Sequence, residues 1–123
     1  MNKEQILQEL AYFDGTENYY FRKPFENLKY TDGVKFVADE CQAHWLLSDI
    51  IFSLMGVKQL QGQDFICIKL NIDLTQDGKP AKLIFDDGNY NVLYSQNYVF
   101  TDFPLDEITF FYQNDVLYLP QES

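Results

Sequence analysis

The chain has 123 residues, of which 46% are hydrophobic and 17% aromatic, with 11 Phe and 9 Tyr; that is enough apolar surface for one packed core and excludes a disordered segment. Its formal charge of −10, from 19 acids and 9 bases, argues against direct binding to nucleic acid or to an anionic membrane, since both need clustered Lys and Arg. The partner expected on charge is neutral or basic, a basic protein or protein complex.

The opening "MNKEQILQEL" lacks the apolar core of a signal peptide, and no later run approaches the ~18 apolar residues of a membrane span. A cytoplasmic location is expected, in which the two cysteines stay free thiols. One domain over residues 1–123 is expected, with helices and an aromatic loop over 1–56 and an antiparallel sheet over 64–119.

In "NKEQILQEL", Ile6, Leu7 and Leu10 give one side of a short helix. "YFDGTENYYFRKPFENLKY", residues 12–30, mixes Gly15, Asn18 and Pro24 with many rings. It reads as an ordered aromatic loop with at most one short strand near Tyr19 to Phe21. Its rings either line a groove or seal a small core. Thr31 or Asp32 then offers an N-cap ahead of Val34, Val37, Ala38 and Cys41 at helical spacing. At about 100° per residue, that stripe and Trp45 lie roughly 150° from Leu46, Leu47, Ile50, Ile51 and Leu54. Either the helix is clasped on both sides or it breaks; a break near Gln42 to His44 is the favoured arrangement, with Gly56 closing the second helix.

Beyond Gln63 the period changes to two. In "FICIKLNIDL", Ile66, Ile68, Leu70, Ile72 and Leu74 share one face, and Phe65, Cys67, Lys69, Asn71 and Asp73 the other, as in a half-buried strand. "AKLIFD", "YNVLYSQNYVF", "ITFFYQ" and "VLYLP" follow, separated by turn sequences. The expected architecture is α+β, with N-terminal helices packed on one face of a five-stranded antiparallel meander. Alternate turns then lie at opposite ends, which groups Asp73, Asp77, Asp102, Asp106 and Glu107 at one end and Asp86, Asp87 and Asp115 at the other.

Several chemistries can be weighed on these positions. Cys41 and His44 share a helix face, but a Cys-His nucleophile also needs an orienting group and an oxyanion site. They read as a small buried hydrophobe and a residue at a kink. One His and two Cys do not make a closed zinc site, and "DDGNYN" lacks the order of a calcium loop. No metal or cofactor is expected, and no nucleotide-binding or hydrolase motif occurs. A non-enzymatic interaction protein is expected, binding through Asp73, Asp77, Asp102, Asp106 and Glu107. The alternative is a small-ligand domain or minor enzyme with a pocket near Tyr19, Tyr20, Asp32 and Trp45, between the aromatic loop and the sheet.

Five blocks carry a resemblance: "FDGTENYY" at 13–20, "YTDGVKFVA" at 30–38, "AHWLLSDII" at 43–51, "DGN" at 87–89 and "FTDFPL" at 100–105. Together they resemble a family of small bacterial and phage proteins, a domain of unknown function. The family's third block places an aromatic residue before Trp-Leu, so His44 departs from it and the resemblance implies no catalytic role there. It implies a compact cytoplasmic protein encoded near mobile elements, of a kind that includes inhibitors of host nucleic-acid-directed defence such as anti-CRISPR proteins.

Overall fold

The computed structural model describes residues 1–123. Three α-helices lie against one face of a seven-stranded mixed sheet. Helix α1 spans Lys3–Leu10 and starts on a capping box in which Asn2 and Gln5 satisfy each other's backbone N–H groups. It buries Ile6 and Leu10.

Two strands follow where the sequence reads as irregular. β1 (Tyr19–Arg22) and β2 (Phe25–Thr31) form an antiparallel hairpin turning at Lys23 and Pro24. The alternation of an edge hairpin is weak, and Asn18, Pro24 and Asn27 mask it. Only Leu28, Tyr30 and Thr31 are buried in β2.

Thr31 caps α2 (Asp32–Glu40), its hydroxyl accepting from the Val34 N–H. The helical run then breaks. Gln42 adopts a left-handed φ of 50°, and α3 (His44–Gly56) restarts after Ala43. The break resolves the conflict between the two apolar stripes. Val34, Val37 and Ala38 of α2 and Leu46, Leu47, Ile50, Ile51 and Leu54 of α3 all enter one core.

The remaining strands are β3 (Ile66–Ile72), β4 (Ala81–Asp86), β5 (Val92–Tyr98), β6 (Glu107–Gln113) and β7 (Val116–Tyr118). The sheet order is β1-β2-β7-β6-β3-β4-β5, which overturns the expected five-stranded antiparallel meander in three respects. The 12–30 segment supplies two extra strands. β6 does not continue the meander beside β5 but pairs with β3, Ile68 facing Phe110. And β2 joins β7 in a parallel pair, Lys29 opposite Val116 and Tyr30 opposite Leu117.

The physical reason for the changed order lies between β5 and β6. "TDFPLDE" has the composition of a polar connection, yet Phe103 is 0% and Leu105 2% exposed. Burying these two side chains carries the chain past the ends of β4 and β3, so that β6 lands on the far side of β3. β3 becomes a central strand, and its Ile66, Ile68 and Leu70 are each 1% exposed or less.

Candidate functional site

Three segments meet at one end of the sheet. Asp73 follows β3, and its N–H donates to the Pro80 carbonyl (2.9 Å), closing the turn into β4. The Thr101 N–H donates to the Gly78 carbonyl (2.9 Å) and its hydroxyl to the Lys79 carbonyl (3.1 Å), which pins the β5–β6 crossing to that turn. The Ile72 N–H donates to the Asp106 carbonyl (3.0 Å), and Glu107 pairs with Asn71. Asp73, Asp77, Asp102, Asp106 and Glu107 therefore share one end. Asp86 and Asp87 leave β4 at the other, with Asp115 in the β6–β7 turn there.

The five are not equivalent. Asp73 is turned onto its own loop, accepting from the Thr75 hydroxyl and N–H and the Gln76 amide. These bonds, the Thr75 hydroxyl first, lower its pKa. Asp106 pairs with Lys3. Asp77, Asp102 and Glu107 are exposed, and their carboxylates have no hydrogen-bonding or ionic partner in the protein.

Beside Asp102 lies a groove of about 260 Å³ walled by Trp45, Tyr98, Phe100 and Thr101. Trp45, on the first turn of α3, meets Tyr98 edge to face at 5.3 Å. The Tyr98 hydroxyl donates to Asp49 at 2.7 Å; burial, and then that bond, raises its pKa. Tyr98 is thus a neutral, fixed wall. Phe100 is 71% exposed. Trp45, grouped by its helical angle with the stripe of Val34 to Cys41, is a half-buried ring at the mouth of this groove, because the break assigns it to α3.

Tyr19, Tyr20, Asp32 and Trp45 do not converge on one pocket. Tyr20 and Asp32 meet, the Tyr20 hydroxyl donating to Asp32 at 2.8 Å. Tyr19 is exposed near Tyr118 and Glu122, and Trp45 belongs to the groove above. Asp32 also accepts from the N–H groups of Glu17 and Asn18 at 3.0 and 3.2 Å, which ties the 12–18 segment to the start of α2. Burial opposes ionisation of Asp32, but the bonds from Tyr20, Glu17 and Asn18 outweigh it and bring the carboxyl from 3.8 to about 2. A depressed carboxyl stabilises the fold above its unfolded value and ceases to do so as pH falls through the folded value. Thermal melts of the wild type should therefore lose stability between about pH 4 and pH 2, and Asp32→Asn should flatten that fall.

Cys41 and His44 do not pair. Cys41 is 3% exposed in the core, and burial, then Glu40, pushes its thiol up to about 11. His44 is held at the surface between Arg22 and Asp39, its Nε2 2.8 Å from Asp39. Cys67 sits on the other side of the sheet, and both thiols are free.

The chain belongs to a family described as "Family of unknown function (DUF6876)", whose model matches residues 4–123. No curated protein and no solved structure matches it. No helix is long and apolar enough to cross a membrane.

Proposed function

We propose that the protein is a non-enzymatic interaction module that engages a basic partner protein through the acidic end of its sheet. The observation that carries this reading is the groove beside Asp102, where Trp45, Tyr98 and Phe100 present rings next to a carboxylate without a partner. Aromatic faces and an acid side by side are the chemistry that holds a Lys or Arg side chain, worth about 0.5–2 kcal/mol per cation–π contact. Asp77 and Glu107 extend the negative field, and Asp73 and Asp106 set its edges, against Lys3, Lys79 and Lys82 at the same end.

A binding role is favoured over a catalytic one because the thiol of Cys41 is buried and His44 is engaged elsewhere. A surface bearing several carboxylates competes with nucleic acid for a Lys- and Arg-lined channel. In its most specific form, the module is a cytoplasmic, mobile-element inhibitor of a host nucleic-acid-binding defence complex.

Trp45 is the chain's single Trp, so its fluorescence reports on the groove. Titration with a short oligo-arginine peptide at low ionic strength should shift that emission saturably. Added salt and the Asp102→Asn substitution should each weaken the response by about tenfold or more. Emission indifferent to the peptide, or a shift unaffected by salt and by Asp102→Asn, would sink the proposal.

A further inference from the structure

The sheet face away from the helices carries a second, unrelated concavity. Ile66, Ile68, Leu70, Phe85, Ile108 and Phe110 point to the core. The residues alternating with them in β3, β4 and β6 therefore point the other way. They include Lys69, Asp86, Thr109 and Phe111, which, with Phe65 and Tyr90, line a cavity of about 380 Å³. That lies at the lower end of the ~300–1,000 Å³ typical of small-molecule sites.

Asp86 is the unusual member. It is only 6% exposed, a setting that a carboxylate occupies only when something stabilises its charge. Its Oδ1 accepts from the Gly88 N–H at 2.7 Å, but its Oδ2 has no hydrogen bond and no cation within ion-pair distance. No fully buried side-chain oxygen lacks a partner, so Oδ2 is not wholly enclosed, and Asp86 is among the residues that line the cavity. Lys69 lies diagonally across from it, since Cys67 is the register partner of Asp86. Such neighbours are close enough for long side chains to meet. Lys69 instead lies over the Tyr90 ring at 5.5 Å.

The site thus holds one anion and one cation that are near each other and not paired. A simple amine would sit beside Lys69 and be repelled; a simple carboxylate would meet Asp86. A molecule bearing both charges satisfies both groups. Phe65 and Phe111, stacked edge to face at 5.0 Å, offer rings for an apolar side chain, and Thr109, opposite Lys69, adds a hydroxyl. Gly88 is required for this arrangement: its φ is +87° and a Cβ would stand 2.9 Å from the Phe65 ring. Cys67 lies beside Asp86 without nucleophilic character, since burial and the neighbouring carboxylate raise its pKa.

We infer that this face binds a free α-amino acid with an apolar or aromatic side chain, its ammonium on Asp86 and its carboxylate on Lys69. Calorimetric titration of the full chain with L-phenylalanine, 2-phenylethylamine and 3-phenylpropanoate tests this directly. Saturable binding is expected for the amino acid, with each singly charged analogue weaker by about tenfold or more. Asp86→Asn, which keeps the Gly88 bond, and Lys69→Gln should each weaken amino-acid binding by a similar factor. If Asp86→Asn does not fold, the analogue series on the wild type and Lys69→Gln decide the matter. The inference is overturned if no proteinogenic amino acid binds at millimolar concentration. It is equally overturned if an analogue lacking one charge binds as tightly as the amino acid, or if the variants that fold bind as the wild type does.

Discussion

Phe103→Ala should lower the stability of the protein by about 3–5 kcal/mol, the range for removing a fully enclosed ring. Phe103 is 0% exposed and belongs to the main core, although it lies in a connection rather than in a helix or strand. Typical domains are stable by only ~5–15 kcal/mol, so the loss is a substantial share of the whole margin. Urea unfolding followed by far-UV circular dichroism measures the loss. Phe100→Ala, three positions earlier and 71% exposed, is the control and should change stability by less than ~0.5 kcal/mol. Equal effects from the two would mean that the crossing is not anchored by Phe103.

The second large effect is expected at Glu122. Its carboxylate accepts from the Thr31 hydroxyl at 2.6 Å, the Gly33 N–H at 3.0 Å and the Leu119 N–H at 2.9 Å. One side chain thus fastens the segment after β7 to the first turn of α2. Thr31 and Gly33 are buried, so removal of the carboxylate leaves donors that water reaches poorly. Glu122→Ala should cost about 2–3 kcal/mol, and Glu122→Gln about 1 because one amide oxygen can still accept from Thr31 and Leu119. Chemical denaturation of both variants checks the order. The same packing explains why position 33 is glycine: a Cβ there would lie 2.6 Å from Glu122 Oε1 and 2.8 Å from Leu119 Cδ1.

Much of the architecture was legible wherever periodicity was strong. The two apolar stripes of residues 34–54 implied a break, and Gln42 supplies it with a left-handed backbone. The alternation in β3 identified Ile66, Ile68 and Leu70 as buried, whereas Ile72 is only partly so and Leu74, expected on the same face, lies beyond the strand and is exposed. The hairpin β1–β2 was hidden because an edge pair with few buried residues leaves little pattern to read. Strand order was hidden more deeply. It depends on Phe103 and Leu105 entering the core from within a stretch that, by composition, is a polar turn.

The five acids nevertheless share an end, since that placement needs only antiparallel neighbours and not their order. The groove beside Asp102 joins residues far apart in sequence, Trp45 and Phe100, and no local spacing announces it. Lys69 was legible as a member of a non-core face, and Asp86 only as one of the acids at the other end of the sheet. That Asp86 is enclosed there follows from its place beside Cys67 and the Phe65 ring, which is a tertiary fact.

The parallel pairing of β2 with β7 has a consequence in time rather than in space. Lys29 and Tyr30 find their partners at Val116 and Leu117, so the β1–β2 hairpin emerges early in synthesis and stays outside the finished sheet until nearly the whole chain has been made. At ~5–20 residues per second that interval is on the order of ten seconds, long compared with the microseconds a hairpin needs to form. During it, β2 offers an unsatisfied hydrogen-bonding edge together with Leu28 and Tyr30, which the finished fold buries. The wait for the last strand is therefore the interval in which the newborn chain is open to misassembly through that edge.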